Sequence, residues 1–211
     1  MPPAPATGTA DRILDAADRL LGRFGYRKMT IEDLAREAGI GKGTVYLSFE
    51  SKESIALACI DRMVDRLLAR LGRIASGPGT PIERIRSLLL ERVVVRLDYA
   101  RFHSETLDEL LAALRRRLME RRAGYFRREA EVIATVLAEG RRTGVFAIED
   151  PLEIAHTLVL ATNALLPYSL GPHEIERRQE IEQRVGEIAD LLLHGITAPL
   201  RSDGPRRRTH S

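Results

Sequence analysis

The sequence predicts an all-α protein, and three observations carry that expectation. Apolar residues recur at three- and four-residue intervals along most of the 211 residues, the period of a helix with one buried face. Helix-start signals precede several of these stretches: Thr30 with Asp33, Ser51, Thr80-Pro81-Ile82-Glu83 and Asp150-Pro151-Leu152-Glu153. Strand-like sequence is confined to "GVFAI" at 144–148, and there is no repeat of solenoid period. With 44% hydrophobic residues the chain can bury a sizeable core, and its length allows one domain or two.

The first helix carries the stripe Ile13, Ala17, Leu20, Leu21 and Phe24 and closes at Gly25-Tyr26. "TIEDLAREA" then predicts a short second helix, capped by Thr30 with Asp33 and apolar at Ile31, Leu34, Ala35 and Ala38. Gly39 stands where a helix ends in a left-handed residue, a conformation that is cheapest for glycine. The glycines of "GIGKGTVYLSFESKES" (39–54) raise the question of a phosphate loop, which the spacing answers. A P-loop needs Lys followed directly by Ser or Thr, whereas Gly43 separates Lys42 from Thr44. The dinucleotide fingerprint also fails, because Gly39, Gly41 and Gly43 alternate evenly and no strand precedes them. The loop is therefore a turn between helices. In the third helix, "KGTVYLSF", Val45 and Phe49 share one face and Lys42, Thr44, Tyr46, Leu47 and Ser48 lie off it. Two short helices joined in this way form a helix-turn-helix; an ordinary helical hairpin is the other reading of the turn alone.

Downstream, Ser51 caps a long helix to about Ser76, which "SGPGTP" breaks before the next helix starts at Pro81. Leu107, Leu110, Leu111, Leu114 and Leu118 mark another helix, and Tyr125 to Gly140 a further one, ended at Gly144. A helix is expected from Pro151 to about Leu166, where Pro167 must end or kink it, and a last one from about His173 to His194. Leu158, Thr162, Leu165 and Leu166 of the former, with Ile181, Val185, Ile188, Leu191 and Leu192 of the latter, form stripes wide enough for a core and a partner; monomer core alone is the competing reading.

Composition excludes several classes. One cysteine, Cys59, rules out a disulfide framework and suits a reducing interior, where its expected role is packing. No apolar run reaches the length of a membrane span and "MPPAPATGTA" lacks a signal-peptide layout, so a cytoplasmic protein without membrane attachment is expected. The lysines are Lys28, Lys42 and Lys52, all in or beside the helix-turn-helix, yet residues 1–55 balance eight basic against eight acidic residues. A basic surface there must come from geometry rather than net charge. The densest basic run, "RRRLMERRAGYFRR" at 115–128, also carries Leu118, Met119, Tyr125 and Phe126 at helical spacing and reads as a solvated helix face.

From Ala10 to about Ala58 the chain resembles the N-terminal DNA-binding domain of the TetR family of transcriptional repressors, through "ILDAADRLLGRFGYRKMTIEDLAREAGIGKGTVYLSFESKESI". The resemblance covers about a quarter of the chain; the rest matches only in being helical and of suitable length. It implies a three-helix DNA-binding domain at 10–55, a helical effector-binding and dimerisation domain at 56–198, and flanking segments 1–9 (disordered) and 199–211 (a flexible tail with Arg206 to Arg208). It also implies a homodimer on palindromic double-stranded DNA, acting as a repressor and released by a small-molecule effector of unknown identity. In the reading head, Lys42 can donate to guanine or phosphate, Thr44 and Ser48 can bond bases or phosphate, Leu47 can meet a thymine methyl, and Tyr46 suits a phosphate. Gly43 permits close backbone approach, and Thr30 and Lys52, at helix starts, are expected to hold the phosphate backbone. The implied dimer contacts are Leu158, Thr162, Leu165, Leu166, Val185, Ile188, Leu191 and Leu192; candidate effector contacts are Tyr99, Phe102, His103, Tyr125, His156, Asn163 and Tyr168.

Catalysis is not expected: no His or Cys pair has zinc spacing, no Gly-x-Ser-x-Gly occurs, and His103-Ser104-Glu105 with Asp108 is an isolated polar cluster. No cofactor or metal is expected either. The alternative function is a helical adaptor whose Arg-rich 115–128 face binds an acidic partner or membrane surface.

Overall fold

The computed structural model describes residues 8–102 and 107–197. Nine α-helices make up the described chain: α1 (Thr9–Lys28), α2 (Ile31–Ala38), α3 (Lys42–Ser48), α4 (Lys52–Ala75), α5 (Pro81–Phe102), α6 (Leu107–Arg142), α7 (Pro151–Ala161), α8 (Pro172–Ile175) and α9 (Arg178–Ile196). Among the described residues the "GVFAI" stretch contributes only an isolated bridge from Phe146 to Thr197, not a strand.

The local signals act as their chemistry requires. Gly25, at φ 77°, bends the end of α1. The Thr30 hydroxyl accepts from the Asp33 N–H and donates to its carboxylate at 2.6 Å. Gly39 is left-handed (φ 64°, ψ 41°), and its N–H and that of Ile40 close the carbonyls of Arg36 and Ala35. Ser51 and Ser54 form a reciprocal capping box, Glu83 accepts from the Thr80 N–H at 2.8 Å, and Asp150 accepts from the N–H groups of Leu152 and Glu153.

Three boundaries differ from expectation. The two helices expected around Leu107–Leu118 and Tyr125–Gly140 are one 36-residue helix, because Gly124 alone, facing open space, does not break a run of good helix formers. α7 stops at Ala161 and passes into a 3-10 turn, Thr162–Leu165, five residues before Pro167. The last helix is divided into α8 and α9, separated at Glu176-Arg177.

Two apolar clusters form the interior. Ile13, Ala17, Leu20, Leu21, Leu34, Val45, Ile55 and Leu57 unite α1, α2, α3 and the start of α4, with Leu114 of α6 added. Leu67, Leu71, Leu88, Leu97, Ile133, Leu137, Leu158 and Val185 unite the rest of α4 with α5, α6, α7 and α9. The clusters therefore meet within α4, not at its start. Phe24, expected in the first stripe, is 48% exposed, with the Arg23 guanidinium 5.0 Å from its ring centroid; Gly25 ends the regular helix before Phe24 can turn inward.

Packing is tight where α6 passes Phe146. A Cβ on Gly140 would stand 2.2 Å from Phe146 Cδ2 and 3.2 Å from Pro81. Gly140→Ala gains helix propensity but overpacks a buried ring, so the net expectation is a loss of about 1–3 kcal/mol in urea denaturation. A stabilised variant would mean that Phe146 can move aside at little cost.

Candidate functional site

α3 is held by one buried residue, Val45, with Phe49 half-buried just beyond it. The rest of the helix faces outward: Leu47 is 89% exposed and Tyr46 51%. Lys42, Gly43 and Ser48 are exposed and Thr44 is half-buried, and a Cβ on Gly43 would meet nothing within 4 Å, so no internal contact demands glycine there. An exposed leucine and tyrosine on a seven-residue helix lose free energy to water unless a partner covers them, which marks this face as a contact surface.

Around it the charges are arranged in pairs. Lys42 donates to Glu32 of α2 and lies 6.0 Å from the Tyr46 ring centroid. The pairing holds Lys42 above its ordinary pKa and Glu32 below the usual carboxylate value, so both are charged at neutral pH and Glu32 must release the ammonium before it reaches another anion. Ser48 donates weakly to the Thr44 carbonyl (3.4 Å). Arg12 donates to the Ala38 and Gly39 carbonyls at 2.6 and 3.2 Å, bracing the turn; this role carried no sequence signal.

Two expected phosphate ligands have internal duties. The Thr30 hydroxyl is engaged with Asp33 on both sides, which leaves the free N–H groups of the first turn of α2 rather than the hydroxyl to meet an anion. Lys52 donates to the carbonyls of Tyr26 (2.9 Å) and Arg27 (3.3 Å) and lies 4.5 Å from the Tyr26 ring centroid. It ties the start of α4 to the end of α1.

Behind the head, polar contacts connect α1 to α4 and α5. Arg62 of α4 bonds Asp15 (2.7 Å) and Asp18 (2.6 Å) of α1, and Tyr99 of α5 donates to Asp18 at 3.3 Å. Burial, with Asp18 beside it, pushes the Tyr99 hydroxyl pKa up, and the buried Cys59 thiol is raised for the same reason. Cys59 thus has packing character and no thiolate reactivity at neutral pH.

Tyr99 also lines a cavity of about 120 Å³ between α4, α5, α6 and the turn at Pro167-Tyr168. Ile60, Met63, Val64, Ala100 and Phe126 give it apolar walls, while Arg96, Arg122, Tyr125 and Tyr168 bring polar atoms. Of the expected effector contacts, Tyr99, Tyr125 and Tyr168 are brought together here. Asn163 stands one layer back, accepting from the Tyr168 hydroxyl. Phe102 packs against Gly22 of α1 instead, and His156 is exposed on α7; both lie away from the cavity. His103 lies outside the described residues. The arginines and methionines of the cavity were missed because, in sequence, they read as surface charge and filler.

Beneath the cavity lies a buried ionic group. Glu129 accepts from Arg92 Nε at 2.8 Å and from Arg96 Nη2 at 2.5 Å, and Arg92 also donates to Thr162. Arg92 and Glu129 are fully buried, and Arg92 Nη2 has no hydrogen-bond partner among the described residues.

Burial divides the expected dimer stripe between core and surface. Leu158, Thr162, Leu165, Leu166 and Val185 are enclosed within the subunit, and Ile188 and Leu192 are half-buried against the same core. Helical period identifies an apolar face but not what covers it. Of the expected contacts Leu191 is the most exposed, at 75%, and Leu160 of α7, not anticipated, is 65% exposed.

Three arginines of the 115–128 run bind α6 to α4. Arg117 pairs with Glu53 (3.4 Å), Arg121 with Asp61, and Arg128 with Asp65 (2.7 Å), while Arg122 stacks on Phe126 and Tyr168, each centroid 5.0 Å away. A face engaged in this way does not favour the adaptor reading. Among the described residues no helix is long and apolar enough to cross a membrane, and no group of three or more His, Cys, Asp or Glu could hold a metal ion.

With this geometry in place, the comparisons are specific. Residues 13–59 match the family described as "Bacterial regulatory proteins, tetR family". The fatty acid metabolism regulator protein of Bacillus subtilis is 22% identical over 190 residues, 88% of this chain and 94% of its own. A transcriptional regulator from Cytophaga hutchinsonii shares the fold with a TM-score of 0.75 at 18% identity, over 91% of this chain and all of its own. A TetR/AcrR-family regulator from Thermobifida fusca is 30% identical, with 88% of this chain and 97% of its own covered and a TM-score of 0.57. The chain belongs to the TetR family of bacterial transcriptional regulators, DNA-binding proteins with an N-terminal helix-turn-helix and a C-terminal helical domain.

Proposed function

We propose that the protein represses transcription as a homodimer on a palindromic operator and is released when a small-molecule effector enters the cavity behind the reading head. The observation that carries this reading is the outer face of α3, where Lys42, Thr44, Tyr46, Leu47 and Ser48 cover no part of the protein's own core. Inserted in the major groove, Lys42 donates to guanine or phosphate, Thr44 and Ser48 bond bases or phosphate, Leu47 meets a thymine methyl, and Tyr46 donates to a phosphate. Gly43 lets the backbone approach the groove. The amide groups at the start of α2 and the remaining N–H of Lys52 support the adjoining phosphates. A dimer blocks polymerase most simply by occupying the promoter. The reading places the protein in the cytoplasm and gives it no catalytic role.

Pairing is assigned to the exposed leucines of α7 and α9. Leu160→Glu combined with Leu191→Glu puts charge on that surface without touching either core, and is expected to shift sedimentation from dimer to monomer and to weaken DNA binding. A variant that stays dimeric would place the interface elsewhere.

Effector action follows from the cavity's size and walls. Its 120 Å³ is below the roughly 300–1,000 Å³ of typical ligand sites, so occupancy must push its walls apart. Ile60, Met63 and Val64 are on α4, the helix that begins at the reading head, and Tyr99 is joined to α1 through Asp18. An effector that widens the cavity therefore moves the two heads, and a coupling of about 1–3 kcal/mol suffices for release. A cavity-filling change, Met63→Trp, is expected to abolish the DNA response to the effector.

A further inference from the structure

The polar groups around the cavity are unevenly matched. Tyr99 donates its proton to Asp18, Tyr125 to Asp61 and Tyr168 to Asn163, so all three hydroxyl protons of the lining are engaged inside the protein. Asp18 and Asp61 in turn hold Arg62 and Arg121. Positive charge is not matched in the same way. A single buried carboxylate, Glu129, serves both Arg92 and Arg96. Arg122 has no carboxylate partner among the described residues; its Nη1 rests 3.8 Å from the Met119 sulfur, and its guanidinium stacks on Phe126 and Tyr168. Arg92, whose Nη2 is unsatisfied, is 5.6 Å from the centroid of the same Phe126 ring. The cavity thus presents almost wholly apolar walls with the Arg122 guanidinium among them, and no carboxylate lines it.

We infer that this cavity selects an anion with an apolar body, with Arg122 as the residue that recognises its headgroup. The inference rests on the effector reading above and adds the ligand's chemical class. A neutral apolar molecule would leave the half-buried Arg122 guanidinium without a counter-charge, and a cation would add to the positive charge. An anion supplies the acceptor that Arg122 lacks, and charge-assisted hydrogen bonds to arginine are the strong ones. The headgroup is a carboxylate or a phosphate monoester, which share this chemistry. The body must be slender, because the space is only about 120 Å³ before the walls move. Met63 and Met119 are the walls that yield most easily.

Isothermal titration calorimetry on the full chain tests this with octanoate, octyl phosphate, methyl octanoate and octylamine. Octanoate or octyl phosphate is expected to bind at least tenfold more tightly than methyl octanoate, with octylamine weakest, and the tighter of the two identifies the headgroup. Arg122→Gln is expected to lower affinity for the anion about tenfold and to leave the ester unchanged, with Arg122→Lys restoring part of the loss. Equal affinity for ester and anion, no binding of either anion, or an Arg122→Gln protein that retains its helical circular dichroism and binds octanoate normally overturns the anion assignment. Met63→Trp separates the two levels. If methyl octanoate or octylamine binds as tightly as the anions and Met63→Trp abolishes that binding, the effector cavity stands and the anion class falls. If octanoate binds Met63→Trp as well as wild type, the effector site itself lies elsewhere and both fall.

Discussion

Glu129→Leu is expected to destabilise the protein by about 3–5 kcal/mol, the largest single effect on folding that the structure predicts. Glu129 is fully buried and is the shared counter-charge of Arg92 and Arg96. Removing it leaves two guanidinium groups facing each other with no compensating charge, one of them wholly enclosed and already short of a partner at Nη2. Burial already pushes the Arg92 guanidinium below its ordinary pKa, the same desolvation penalty acting on the charged form. Urea denaturation at neutral pH reads the loss. Replacing Arg92, Arg96 and Glu129 together with leucine is expected to recover much of it, because an apolar cluster of similar volume does not pay the desolvation of buried ions. A single variant near wild-type stability would mean that water enters the site and screens the arginines.

Lys42→Ala combined with Tyr46→Ala is expected to weaken binding to the preferred duplex by about 100-fold or more while weakening non-specific binding far less. The two side chains stack on the outer face of α3 and contribute nothing to the core, so folding should be unaffected. Each base contact gives about 1–3 kcal/mol of discrimination, and a symmetric dimer loses it twice. Fluorescence anisotropy at fixed salt, with the preferred and a scrambled duplex, measures both affinities. Loss of Tyr46, a phosphate contact, is expected to weaken both duplexes, and equal total losses would make Lys42 a phosphate contact as well.

The reading head was legible because its information is local. The Thr30 cap, the left-handed Gly39, the Ser51 cap and the inward Val45 all act within a few residues, and the structure contains each of them. Contacts between distant segments left no such trace. The pairing of Lys42 with Glu32, the hold of Arg12 on the end of α2 and the burial of three arginines along α5 depend on which helices become neighbours. The same limit applies to the dimer stripe, since a buried Leu158 and an exposed Leu160 have equal hydrophobicity and differ only in what faces them. Thr162 accepts from Arg92 inside the subunit, a use that its neighbours in sequence do not announce.

Sequence-specific reading of DNA by paired α3 helices is tested by selecting bound duplexes from a random pool at a stated salt concentration, with the Lys42→Ala/Tyr46→Ala protein in parallel. The expected result is a two-fold symmetric consensus whose half-sites lie about 34 Å, one helical turn, apart, and which is lost with the variant. Salt-sensitive binding with no consensus, unchanged in the variant, would contradict it.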